Sequence, residues 1–162
     1  MLFIILSLAG LLTTASAETL KGKGVSSVSK SEMLPVADVE NHNIGLTTRE
    51  GMVVFENGEV ATAKSVAIWD LVRGGTGWAK GYVTYTFVDG STIMTTIHQD
   101  IAPAKPEGAF QSDTKISGEI IKGTGKFEGI KGTINSSTKV LKPEKGEPGG
   151  KNISDVVFNY SK

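Results

Sequence analysis

The 162 residues hold 17 Lys plus Arg against 17 Asp plus Glu, and Arg49 and Arg73 are the only arginines, which excludes the basic footprint of a nucleic-acid binder. With no cysteine, disulfides, thiolate catalysis and cysteine metal sites are excluded as well. Beyond residue 17, Val, Ile and Thr total 39 against 13 Ala plus Leu, so the composition suits pleated sheet, rules out a helical bundle and fills one domain.

The chain opens on LFIILSLAGLL, residues 2–12, followed by TTASA, whose Ala15 and Ala17 fit an A-x-A cleavage site. The run is about half of the roughly 20 apolar residues that span a bilayer, so it reads as a signal peptide over 1–17 and not as a membrane anchor. Export to a periplasm or the extracellular space, with cleavage after Ala17, leaves a single domain over 18–162.

Strands are expected over 20–28, 36–47, 65–72, 114–122, 132–141 and 154–160, with two hairpins between them. In MVVFENGEVATA, Asn57-Gly58 marks one tight turn, and in GYVTYTFVDGSTIMTTI, Asp89-Gly90 marks the other. Two-residue loops set Phe55 opposite Val60, and Val88, Phe87 and Tyr85 opposite Ser91, Thr92 and Met94. One face of the second hairpin then collects Val83, Tyr85, Phe87, Met94, Thr96 and His98, and the other collects Trp78, Tyr82, Val88, Ile93, Ile97 and Ile101. Both faces are apolar, which predicts a barrel interior on one side and a cover on the other, with self-association into a homo-oligomer as that cover. Loops fall at Arg73–Gly77, Pro103–Gly108 and Pro143–Lys151. Nine or ten segments of this kind make an all-β sandwich or barrel.

Asp38, Glu40 and His42, spaced by two, would share one face of a strand, where an imidazole between carboxylates could bind a metal or pass a proton. Glu40 and His42 are the candidate acid–base residues, and a solvated strand face is the simpler alternative. Thr96, His98 and Asp100 offer a second polar face. GTGKFEG lacks the spacing of a dinucleotide loop, and no Walker sequence or nucleophile elbow occurs, so no cofactor and no metal are assigned. Trp69, Trp78, Tyr82, Tyr85, Phe87 and Phe110 cluster mid-chain, and they line either a plain core or a small-molecule pocket.

The glycine-spaced segment GTGKFEGIKG, Gly123 to Gly132, leads through a polar strand and a loop to a closing SDVVFNY, and together these resemble the C-terminal half of the allene oxide cyclase-like barrels and of dirigent proteins. NIGLTTREGMVVFENGEVAT followed by GYVTYTFVDGSTI resembles small exported bacterial proteins of that barrel type. The resemblance covers about residues 36–160. It implies a calycin-like, antiparallel eight-stranded barrel with an apolar cavity, oligomeric in the plant members, and it transfers no catalytic residue. Phe127 and Ile130 are placed to cap one barrel end. The expectation is an exported barrel that holds a small apolar or amphipathic molecule, with Trp69, Tyr85, Phe87, Met94 and His98 as binding candidates. The alternatives are an isomerase or cyclase in the same cavity, using Glu40 or His42, and a non-catalytic interaction module.

Overall fold

A computed structural model describes residues 16–72, 76–105, 108–147 and 149–162. The signal-peptide reading, apart from its last two residues, lies outside the described residues, as does most of the Arg73–Gly77 loop. Eight strands run in chain order: β1 Ala17–Pro35, β2 His42–Phe55, β3 Val60–Val72, β4 Gly77–Phe87, β5 Thr92–Pro103, β6 Phe110–Thr124, β7 Lys131–Leu141 and β8 Asn152–Ser161. Each pairs antiparallel with the next, and β1 returns to β8, so the sheet is a closed eight-stranded barrel. Closure removes the open edges of the sheet, although residues 27–35 of β1 run beyond β8 and pair with β2 alone.

The strands are fewer and longer than expected because neighbouring segments fuse. β1 alone spans 19 residues, its first part paired with β8 and its second with β2. The expected strand over 36–47 breaks instead at residues 36–41, a turn in which Ala37 and Asn41 take φ of 66° and 62°.

Both predicted hairpins form, but each loop holds three residues. The Phe55 amide donates to the Glu59 carbonyl at 2.8 Å and the Phe87 amide to that of Ser91 at 2.9 Å, which leaves Glu56–Gly58 and Val88–Gly90 as the loops. Gly58 and Gly90 close them at φ of 86° and 83°, the arrangement of a type I turn with a bulged glycine. One extra loop residue slips the register by one, and a slip of one turns every side chain of the return strand to the other face. Tyr85 therefore pairs with Ile93, not Met94. Ile93, Thr95 and Ile97 point into the barrel, and Met94, Thr96 and His98 lie on its outer wall.

The interior is not uniform along the axis. At the end formed by the two hairpins and the short 3-10 turn Gly125–Phe127, aromatic rings fill the lumen. Phe55 stacks on Phe87, Tyr85 meets Phe158 edge-on at 5.0 Å, and Phe127 tilts against Phe87 at 4.6 Å. Phe127 and Ile130 are buried in this cluster, closing that end as their spacing in the glycine segment suggested. Rings of this size each contribute about 1.5–3 kcal/mol on full burial. Toward the other end, small and polar residues replace the rings and the barrel opens. On the outer wall Val66, Ile68, Trp78 and Tyr82 stay exposed in the single chain.

Candidate functional site

Alternation along the strands delivers the odd-numbered residues of β2, β3 and β5 to the lumen, and in the open half those residues frame a cavity of about 390 Å³. Trp69, Leu71 and Ile101 form an apolar wall, and Asn43, Gln99 and Gln111 contribute amides. Trp69 is oriented from two sides. Its indole Nε1 donates to the Thr47 hydroxyl. It also sits across from Gly45, where a Cβ would come within 2.9 Å of the indole Cζ2, so the absent side chain is what makes room for the ring.

Deeper in, Arg49, Ser65, Gln99 and Asn152 line both this cavity and a smaller inner one of about 80 Å³. Val53, Tyr85 and Ile134 belong to the inner cavity's wall, which backs onto the aromatic plug. Thr138 and Ser154 hydroxyls bond each other at 2.8 Å nearby, keeping polar β7–β8 side chains satisfied inside the lumen. Asn152 Oδ1 is buried and has no hydrogen-bond partner among the described residues. The Arg49 guanidinium donates from Nη1 to the Gly150 carbonyl at 3.1 Å. Burial pulls its pKa down to about 10, which still leaves it protonated near neutral pH. Among the described residues it is the single charged side chain lining either cavity.

The binding candidates read from the sequence separate. Trp69 lines the outer cavity and Tyr85 the inner one, where burial raises its phenol above the ordinary range. Phe87 is packed within the plug and borders neither space. Met94 and His98 stand on the outer wall for the register reason given above, Met94 beside Tyr82 and His98 with Nε2 at 3.3 Å from Asp100.

The proposed acid–base residues also part. Asp38 and Glu40 lie in the β1–β2 turn, not on a strand, and the Glu40 side chain is exposed. His42 begins β2 on the outer side of the rim. Its Nδ1 meets Asp38 Oδ1 at 2.6 Å and its Nε2 meets Asp70 Oδ1 at 2.8 Å. Asp70, with Asp38 second, raises the His42 pKa, and His42 in turn holds Asp38 below the usual carboxylate range. With both ring nitrogens engaged, the imidazole has no free position for substrate or metal; it ties the turn to β3. Neither Glu40 nor His42 borders the cavities.

Arg49 escaped the sequence reading, although a signal existed. Counting back by twos from Phe55 through Val53 and Gly51 lands on Arg49, so any register that turns Phe55 inward turns the arginine inward too.

No protein-family model matches the chain, and no curated protein matches it. Among solved structures it is similar to the pterocarpan synthase dirigent protein GePTS1, at 12% identity over 98% of both chains and a TM-score of 0.46. It is similar also to the pterocarpan synthase dirigent protein PsPTS1, at 14% identity over 91% of this chain and 97% of that one, with a TM-score of 0.42. The similarity is to dirigent-type, allene oxide cyclase-like eight-stranded barrels at low sequence identity.

Proposed function

We propose that this chain is an exported barrel protein that binds a small apolar or amphipathic molecule in the cavity at its open end. The observation that carries the reading is the cavity itself. Its volume of about 390 Å³ exceeds the roughly 300 Å³ at which small-molecule sites begin, and it combines an apolar wall at Trp69, Leu71 and Ile101 with a few amides and one cation. The aromatic plug supports the same reading, because it supplies a packed core at one end and so relieves the other end of that task.

Trp69 provides the readout. In a Trp78→Phe background it is the remaining tryptophan, so its emission reports on the cavity. Titration with 1-naphthol and 1-dodecanol should shift that emission saturably, and native mass spectrometry should show one bound molecule per chain. Ala67→Phe, which places a ring into the cavity from β3, should abolish both signals while the far-ultraviolet spectrum stays that of the wild type. Emission and mass that stay unchanged with every probe, or binding that Ala67→Phe leaves intact, would remove the cavity from consideration.

A further inference from the structure

Among the described residues, the lumen holds a cation without a counter-charge. A guanidinium has five N–H donors, and the described contacts use one of them, on the Gly150 carbonyl. Among the described residues no Asp or Glu forms an ion pair with Arg49, although ten other carboxylate pairs occur elsewhere on the molecule. Arg49 is half-buried, and a charge drawn out of water is ordinarily paired, because full burial costs several kcal/mol per ion unless an opposite charge and hydrogen bonds offset it. The neighbours that share the ring with Arg49 are neutral: Ser65, Gln99 and Asn152.

Resting on the binding reading above, we propose that the molecule held is an aromatic monocarboxylate, bound head first with its carboxylate on Arg49 and its ring along Trp69, Leu71 and Ile101. The charge follows from the count, since one guanidinium and no other ion among the described lining residues match a monoanion and leave a phosphate dianion half compensated. The head group follows from shape, since the planar donor fork of arginine accepts the two oxygens of a carboxylate side by side. The direction follows from the order along β2. Asn43 stands at the rim, Gly45 beneath Trp69 comes next, and Arg49 lies deeper, so the apolar wall is met before the charge. The flat indole, set in place by Thr47 and Gly45, favours a flat partner.

The test compares 2-naphthoate with methyl 2-naphthoate, which keeps the ring system and removes the charge. Both are titrated into the full chain carrying Trp78→Phe, following Trp69 emission. The acid should bind roughly tenfold tighter or more than the ester, as a charge-assisted pair in a partly dry site does. Arg49→Gln should weaken the acid to the level of the ester and leave the ester unchanged, and Arg49→Lys should restore part of the gap. Equal binding of acid and ester to the wild type, or a preference for the ester, would overturn the anion proposal while leaving the cavity reading in place. A preference for the acid that survives Arg49→Gln would also overturn it. Failure of both compounds to bind would overturn the two together. The wild-type comparison needs no change at Arg49, so it decides the matter even if that variant folds poorly.

Discussion

Phe55 and Phe87 lie face to face, with ring centroids 5.5 Å apart and an interplanar angle of 11°, one from the end of β2 and the other from the end of β4. Only β3 separates these strands, so the stack reaches over β3, where the small Ala61 pairs with Phe87, and Phe158 from β8 tilts against Phe55 at 6.1 Å. Phe158 is wholly buried and touches rings from two other strands. Phe158→Ala should cost about 3–5 kcal/mol, the range for emptying a phenylalanine site in a packed core, and urea unfolding should show it as a lower midpoint with an unchanged slope. A loss below about 1 kcal/mol would mean that the plug is not the packed core of the barrel.

Lys126 fastens the plug from outside. It pairs with Glu59 of the β3 approach and with Asp89 of the second hairpin at 3.2 Å, and its ammonium lies about 5 Å from the Phe87 and Phe127 rings. Because the group is part exposed, Lys126→Met should lower stability by about 1 kcal/mol or less, and the difference should shrink in 1 M salt as the ion pairs are screened. Equal unfolding midpoints for the two proteins at low salt would show the network to be energetically idle.

His42 gives the open rim a pH dependence. Its folded pKa is raised, by Asp70 first and Asp38 second, so its contribution is complete below about pH 6.5, the unfolded value, and is lost as pH rises through the folded one. Asp38 works in the opposite sense. Its lowered pKa contributes above the unfolded carboxylate value near 4 and fades as pH falls through the folded value. The two overlap between about pH 4 and 6.5. In urea the wild-type midpoint should fall between pH 5.5 and pH 8.5, and His42→Gln should fall less over the same interval. Parallel pH profiles would remove the imidazole as the cause.

The export reading predicts a defined product. Expressed with residues 1–17 in a bacterium with two membranes, the chain should be recovered from the periplasm with Glu18 as its first residue, checked by intact mass and N-terminal sequencing. Loss of residues 1–17 gives up a single β1–β8 pair, Ala17 with Ser161, and retains the bond from the Tyr160 hydroxyl to Glu18 at 3.0 Å. A cytoplasmic product that keeps its first 17 residues would count against export.

The parts legible in the sequence were those set by near neighbours. Asn57-Gly58 and Asp89-Gly90 announced their turns, and Phe127 and Ile130 announced a cap, because each depends on a few adjacent residues. Loop length was not legible. Whether Glu56 and Val88 end a strand or start a loop is decided by hydrogen bonds across the hairpin, and that one residue separates Ile93 inside from Met94 outside. The turn at 36–41 was hidden for a similar reason, since Asp38, Glu40 and His42 alternate like a strand while the chain reverses there. Trp69 was found as an aromatic among aromatics, but its value to the cavity comes from Gly45 and Thr47 on another strand. Arg49 looked like one polar residue in the run TTRE, and only its spacing by twos from a buried Phe55 separates a lumen arginine from a solvated one.

Pairing of β1 with β8 sets Ala17 beside Ser161, so the outer ends of the first and last strands are neighbours on one ring of strands. A ring has no first member. A short peptide bridge from Lys162 to Glu18, with new ends cut at the three-residue loop of Gly58 or Gly90, keeps every strand pair but the outermost and leaves the open-end cavity untouched. Ala17, Ser161 and the Gly58 and Gly90 loops all lie at the plugged end, so the permutant would keep its free ends there, and sensors or tethers could be attached without crossing the open end.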